Sequence, residues 1–505
     1  MKTIKKMYRV SLFVLLSSIY ILYSCNENPS NDPKMIEKIE GCWVGGLLQN
    51  STLTKDIEIR LFSLNPDSTL AITMIYELGP RSRVWEFNTK ISYRDNKLSW
   101  LAHQGYLSEN GDTMYLEKSW KGEESKWMFY RNRSYDEFIN KFKSCQTEEY
   151  TYSVPKSLDD NLICGDINDT DIDKEMVIQF IKDIKNGVHG DIHSVLIYRK
   201  GKLVMEEYFA MNGKFSGSFV NDVFRSKTHH LASTTKGIFS ILCGIAIDQG
   251  FIPDVNEPIF KYLSYYNNSF SSEKNEISIK DLLTMRSGLE WKQFGISWKS
   301  ERNDAAQLYR CDDVVKYIIE RPLKTKPGEV FNYTNGDPTL MGVVLKNACE
   351  MEVDKFADQT LFHPLGITNY LWTRYPDYTL ETDGGLALRS RDLIKIGKLM
   401  LYNGRIKGNQ IISMKYIKES IQPIIKLSNQ RGYGYYWNEM KFEFRNQTEK
   451  AIFVPGDGGQ FLAVFPSLEM VIGFTAGNYN TDPTDTYWDL ITDQILPAIK
   501  SSNSY

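Results

Sequence analysis

Ser233 and Lys236 stand three residues apart at the start of an apolar segment that runs from Gly237 to Gly250. Apolar residues cover nearly every face of that segment, which predicts a helix buried in a core, stopped at Gly250. A serine at a helix start is most simply an N-cap. A capping box, however, would place Glu or Gln three residues on, and here that position is Lys236. A cation in the first turn opposes the helix dipole, so it costs stability and calls for a reason. The field and the burial disfavour the charged amine, which makes it a usable base. The spacing of three puts amine and hydroxyl on one face, within hydrogen-bond reach. Free N–H groups at the helix start, that of Ser233 included, could stabilise an oxyanion.

Two further patterns could join them. Tyr333 and Asn335 follow the turn Pro327-Gly328 and precede a helical run after Thr339. A phenol there can relay protons between serine and leaving group, with Asn335 fixing the site; the bland alternative is a tyrosine packed by its ring. Gly456, Asp457, Gly458, Gly459 and Gln460 lead into a strand, where glycines allow close approach to a ligand or simply form a bulge at a turn. Each pattern is weak alone. Ser153/Lys156 and Ser271/Lys274 repeat the first, and Tyr130/Asn132, Tyr265/Asn267 and Tyr436/Asn438 the second, without such context. The six histidines show no metal-ligand spacing; His229 and His230 precede Ser233 and suit packing roles. No Gly-x-Ser-x-Gly elbow occurs, and no metal or other cofactor is expected.

The elements that must position these residues fall into two bodies. In the second, a helix is expected near 173–186, a hairpin at 194–199 and 203–209, strands at 451–454, 460–465 and 470–475, and an amphipathic helix around 485–500. An antiparallel sheet with helices on it and a helical insert is an α+β plan. The first body holds short strands at 57–62, 70–76, 86–93, 97–101, 113–118 and 126–131, which predict a small antiparallel barrel. Its opening at Gly41 and Trp43 resembles lipocalin-like domains, and an accessory or spacer role is expected of it.

In order and context, the three chemical patterns resemble the serine β-lactamases and penicillin-binding proteins, in the class C and esterase/amidase branch. Phrases at 279–289, 384–393 and 433–437 extend the resemblance over about residues 190–480. It implies a β-lactamase/transpeptidase-like domain with Ser233 as nucleophile, Lys236 and Tyr333 as its proton-transfer partners, and the backbone N–H groups of Ser233 and Gln460 as oxyanion donors. Asn335, Asp457, Gly458 and Gly459 would complete the substrate site. Penicillin-handling members usually carry Lys-Thr-Gly at the third pattern. Asp457 would repel a substrate carboxylate there, so neutral or amine-bearing esters and amides are expected instead. The alternative is a non-catalytic receptor of the cell envelope.

Lys2, Lys5, Lys6 and Arg9 precede an apolar run from Val10 to Ser24, a signal-peptide pattern that ends at Cys25 in what looks like a bacterial lipobox. The expected organisation is therefore a lipoprotein signal over 1–25, a tether over 26–35, the barrel over 36–150 and the hydrolase domain over 151–505. Lipid on Cys25 would hold the chain to an envelope membrane outside the cytoplasm. Cys42 and Cys145 could pair in that compartment. The net charge of −3 excludes a general nucleic-acid binder.

Overall fold

The computed structural model describes strand backbones between residues 41 and 131, and residues 149–209, 216, 218–269, 271–479 and 483–500. Cys25, the tether and Cys145 lie outside the described residues. The chain divides into two units, 1–149 with 209–227, and 150–208 with 228–505.

The second unit is built on an antiparallel sheet of eight strands. These are β1 (Ile192–Arg199), β2 (Lys202–Tyr208), β3 (Ile425–Lys426), β4 (Arg431–Tyr433), β5 (Asn438–Phe444), β6 (Gln447–Gly456), β7 (Gln460–Phe465) and β8 (Met470–Ala476). Their order is β2-β1-β8-β7-β6-β5-β4-β3. Every residue of β1, β7 and β8 is buried, because helices cover both faces. The main helices are α1 (Lys174–Lys185), α2 (Thr234–Asp248), α3 (Gly336–Ala348), α4 (Ser390–Leu401) and α5 (Pro483–Leu490).

Side chains alternate across the sheet, and that alternation assigns the faces. Val454, Leu462 and Val471 meet α2 and α4: a Cβ at Gly237 would strike Val454, and one at Gly397 would strike Val471 and Leu462. Phe453, Phe465 and Phe442 point the other way and pack on Trp488 of α5, with ring centroids 5.6–6.2 Å apart. The missing side chain at Gly237 thus lets α2 lie directly against β6. Thr234 to Ala246 of α2 are all buried, as the unbroken apolar pattern predicts. Between α2 and α4 the chain forms short helices and α3; Tyr333 and Asn335 lie in the loop that leads into α3.

The C-terminal helix expected over 485–500 differs. It is α-helical only over Pro483–Leu490, then widens to a π-turn over Ile491–Ile495, and Ile499 bridges Ile172. Amphipathic periodicity does not distinguish these hydrogen-bond registers.

In the first unit, the strand expected over 86–93 is two, Arg81–Thr89 and Ile91–Arg94. The former pairs with Leu70–Leu78 and the latter with Lys97–Trp100. A period-two pattern shows that residues are extended, not which partner they take. His103–Leu107 and Gly41–Gln49 are strands as well. Gly41–Gln49 pairs with both Ile57–Ser63 and Glu123–Arg131, which brings early and late strands together. The remaining pairing that would close a barrel, between Arg81–Thr89 and Ile91–Arg94, is not present among the described residues.

Candidate active site

The chain enters α2 from a short strand, Thr228–His230, through Ala232 in the left-handed region at φ 45°. Such a conformation costs energy for a residue with a side chain. Ser233 takes the N-cap position with helical backbone, and its hydroxyl caps nothing. Instead it accepts a hydrogen bond from Lys236 Nζ at 2.9 Å. Lys236 is 2% exposed and also donates to the backbone oxygen of Asp383, at 2.5 Å. The N–H groups of Thr234, Thr235 and Lys236 are taken by the carbonyls of Leu231, Ala232 and Ser233. No backbone acceptor for the Ser233 N–H occurs among the described residues.

Tyr333 lies over the lysine, its ring centroid 5.1 Å from Lys236 Nζ. Its hydroxyl makes no bond to Ser233 or Lys236 among the described residues; catalytic bonds often tighten only once substrate is bound. Phe294 flanks the ring at 5.7 Å. Asn335 precedes α3 and is held by Gln293, whose Oε1 accepts from the Asn335 N–H at 3.0 Å and whose Nε2 donates to Asn335 Oδ1 at 3.3 Å. Gln293 is a residue that sequence reasoning missed, since it lies in a loop with no local motif.

The turn at 457–459 joins β6 to β7, with Gly456 paired to Gln460. Thr234 Oγ1 ties the start of α2 to this hairpin, lying 3.4 Å from the Val454 oxygen and 3.3 Å from that of Gln460. The Gln460 side chain is turned away. Its Nε2 donates to the Ala476 oxygen at 2.7 Å, and its Oε1 accepts from the Ala476 N–H at 3.1 Å. Only its backbone remains for an oxyanion. Gly458 and Gly459 have φ 79° and 92°, and a Cβ at Gly459 would strike Tyr487. Their need for glycine is thus explained by the turn and by packing. Asp457 is exposed at the tip and accepts from the Gly458 N–H at 2.9 Å.

A cavity of about 140 Å³ opens beside Ser233 and Lys236. Tyr333, Tyr433, Tyr436 and Phe331 form its aromatic walls, and Arg431 and Asn438 add polar groups. Asn335 and the 457–459 turn are not among its walls. Beneath it, Asp337 is buried and accepts from Ser287 Oγ at 2.7 Å. Burial pushes its carboxyl up to about 7, against the pull of the Ser287 bonds. Burial also raises the Asp383 carboxyl, with Lys236 acting in the opposite direction. His229 and His230 do not line the cavity; His229 Nε2 instead meets His193 Nδ1 at 2.8 Å.

A serine bonded to a buried lysine, an overlying tyrosine and an antiparallel sheet between helices define the active-site serine proteins of the β-lactamase and penicillin-binding type. Residues 183–494 match the Beta-lactamase family model, and the chain belongs to that family, whose members are generally serine hydrolases. Protein flp of Staphylococcus aureus is 25% identical over 179 residues, covering 35% of this chain and 34% of the relative. The chain thus matches about a third of the length of its curated relatives. Among solved structures, a Bacillus anthracis protein assigned by name to the 6-aminohexanoate-dimer hydrolases has a TM-score of 0.51 at 18% identity, over 68% of this chain and 87% of that one. EstCE1, described as a hydrolase with promiscuous acyltransferase activity, has a TM-score of 0.51 at 13% identity, over 64% and 98%.

Proposed function

We propose that the chain is a hydrolase that forms an acyl-enzyme on Ser233 and cleaves ester or amide bonds. The observation that carries this is the 2.9 Å bond between Lys236 and Ser233 inside a buried helix start. Lys236, helped by Tyr333, takes the proton as the Ser233 oxygen attacks the carbonyl. The N–H groups of Ser233 and Gln460 hold the oxyanion. Tyr333 returns the proton to the leaving group, and water releases the acyl group. The amide- and acyl-transfer names of the two structural relatives support this range of bonds. Asp457 at the turn disfavours β-lactams and D-alanyl peptides that place a carboxylate there, so nitrocefin is expected to be a poor substrate. Efficient nitrocefin turnover would remove this restriction.

The direct test is intact-mass spectrometry after incubation with a fluorophosphonate. One adduct on the wild-type protein, absent from Ser233→Ala, is expected. An adduct that survives the substitution would place the nucleophile elsewhere. On the same reading, lipid on Cys25 holds the enzyme to an envelope membrane, and alkyne-palmitate labelling in cells should be lost in Cys25→Ala.

A further inference from the structure

Asp383 gives Lys236 its backbone oxygen, while its carboxyl has no part in the proposed mechanism. Asp383 is 2% exposed, and Tyr375 and Thr339 beside it are fully buried. The Tyr375 hydroxyl donates to Asp383 Oδ1 at 2.5 Å. That length is the range of a hydroxyl donating to an ionised carboxylate. Thr339 Oγ1, which donates to the Asn335 oxygen at 2.8 Å, lies 3.3 Å from the same Oδ1. Burial raises the carboxyl, and Lys236 leads the influences that oppose it. Yet the two side chains make no ion-pair contact among the described residues: Nζ reaches the backbone oxygen instead.

The segment that carries Asp383 is tied to two helices. The Leu386 N–H donates to Thr235 Oγ1 of α2 at 3.3 Å, and Thr382 Oγ1 donates to the Pro338 oxygen of α3 at 2.7 Å. The titratable groups that face the amine and the carboxylate are Tyr333 and Tyr375. Behind Tyr375 stand Tyr309, with ring centroids 5.0 Å apart, and Glu381, which accepts from the Tyr309 hydroxyl. When Lys236 takes the Ser233 proton, positive charge forms on a buried amine. Such charge is costly without a fixed counter-charge. A carboxylate in contact would occupy Nζ. One set back behind its own backbone supplies the field and leaves Nζ on Ser233.

We infer that Asp383 is a positioning residue for the base: its backbone oxygen aims Lys236 at Ser233, and its carboxylate, fixed by Tyr375, stabilises the ammonium that forms as the serine attacks. The inference rests on the reading of Ser233 as nucleophile and adds a third group behind the serine and its base. The proton leaves Ser233 Oγ for Lys236 Nζ and returns through Tyr333 to the leaving group. Asp383 neither gains nor loses one.

Asp383→Asn tests this, because the amide keeps an oxygen for Tyr375 and the backbone carbonyl for Lys236 and removes only the charge. Fluorophosphonate labelling is followed against pH, with the urea midpoint as the measure of folding. The plateau rate should fall at least about tenfold, and the pH of half-maximal labelling should move down by about one unit, since the positive amine has lost its counter-charge. Tyr375→Phe should slow labelling by a smaller factor. The double variant should label no more slowly than Asp383→Asn, because Tyr375 acts through Asp383. An unchanged pH midpoint in folded Asp383→Asn would overturn the inference and leave the serine reading standing. Losses that simply multiply in the double variant would overturn the link through Tyr375. Should Asp383→Asn fail to fold, Tyr375→Phe decides, and wild-type labelling in it would overturn the inference. No labelling of the wild-type protein would overturn the nucleophile and, with it, this inference.

Discussion

Lys236 and Arg391 are both buried cations in the second unit, and their surroundings are opposite. Arg391 is fully enclosed and paired with two acids, Asp160 at 2.6 Å and Glu206 at 2.7 Å. Burial alone would raise Asp160, yet the Arg391 bonds outweigh it and hold that carboxyl below its ordinary range. Lys236 meets a hydroxyl and a backbone carbonyl, with no carboxylate in ion-pair contact among the described residues. A buried charge that only supports structure is neutralised by neighbours. A buried amine whose work is to exchange a proton is left without such a partner, because a tight carboxylate contact would fix its charge.

The comparison can be broken from either side. The largest effect belongs to Lys236→Met. Fluorophosphonate labelling should slow by roughly 10²–10⁴-fold, the usual share of a general base. Its urea midpoint should hold or rise, since a poorly paired buried amine is removed. A marked loss of stability would mean that Lys236 is structural after all. Arg391→Met should do the reverse. Two buried carboxylates lose their partner, at a cost of about 3–5 kcal/mol, while the remaining folded protein labels at nearly the wild-type rate.

Asp337 sharpens the contrast through pH. Its folded-state value of about 7 lies above the ordinary carboxylate range, so between about pH 4 and pH 7 the folded protein keeps a proton that the unfolded chain has released. Stability from this group is full below that window and is lost as pH rises through it. Urea titrations should show Asp337→Asn gaining on the wild type across the window, by on the order of 1–4 kcal/mol. A parallel pH dependence in the two proteins would contradict this. The smallest effect is expected at Lys202, whose ion pair with Asp169 is exposed on both sides. Lys202→Met should leave the melting temperature unchanged within error.

The contact between Ser233 and Lys236 was legible because two local signals coincide there: a fully apolar helix, and a lysine where a capping acid belongs. The sheet strands at 460–465 and 470–475 were legible from their apolar runs and bounding turns. Other parts of the site have no local signature. The Asp383 contact with Lys236 is made by a backbone oxygen, which any residue could supply. Gln293 reaches Asn335 across 42 positions. Tyr436 and Arg431 look like ordinary members of an aromatic strand region until the fold sets them beside Ser233. Tyr436 and Asn438 also fit the Tyr-x-Asn pattern, without the turn and helix that flank Tyr333, and both line the cavity.

The hydroxyl of Thr234 reaches carbonyls on both strands of the β6–β7 hairpin. This single side chain makes the helix end and the hairpin one mechanical unit. Hydrogen exchange should therefore report a common opening for the amides around Ser233 and those of the hairpin, rather than two independent ones. Since the two proposed oxyanion donors sit on those two segments, they are present together or absent together. Thermal softening of the site would then show as a falling population of competent enzyme, with the reactivity of each competent molecule unchanged.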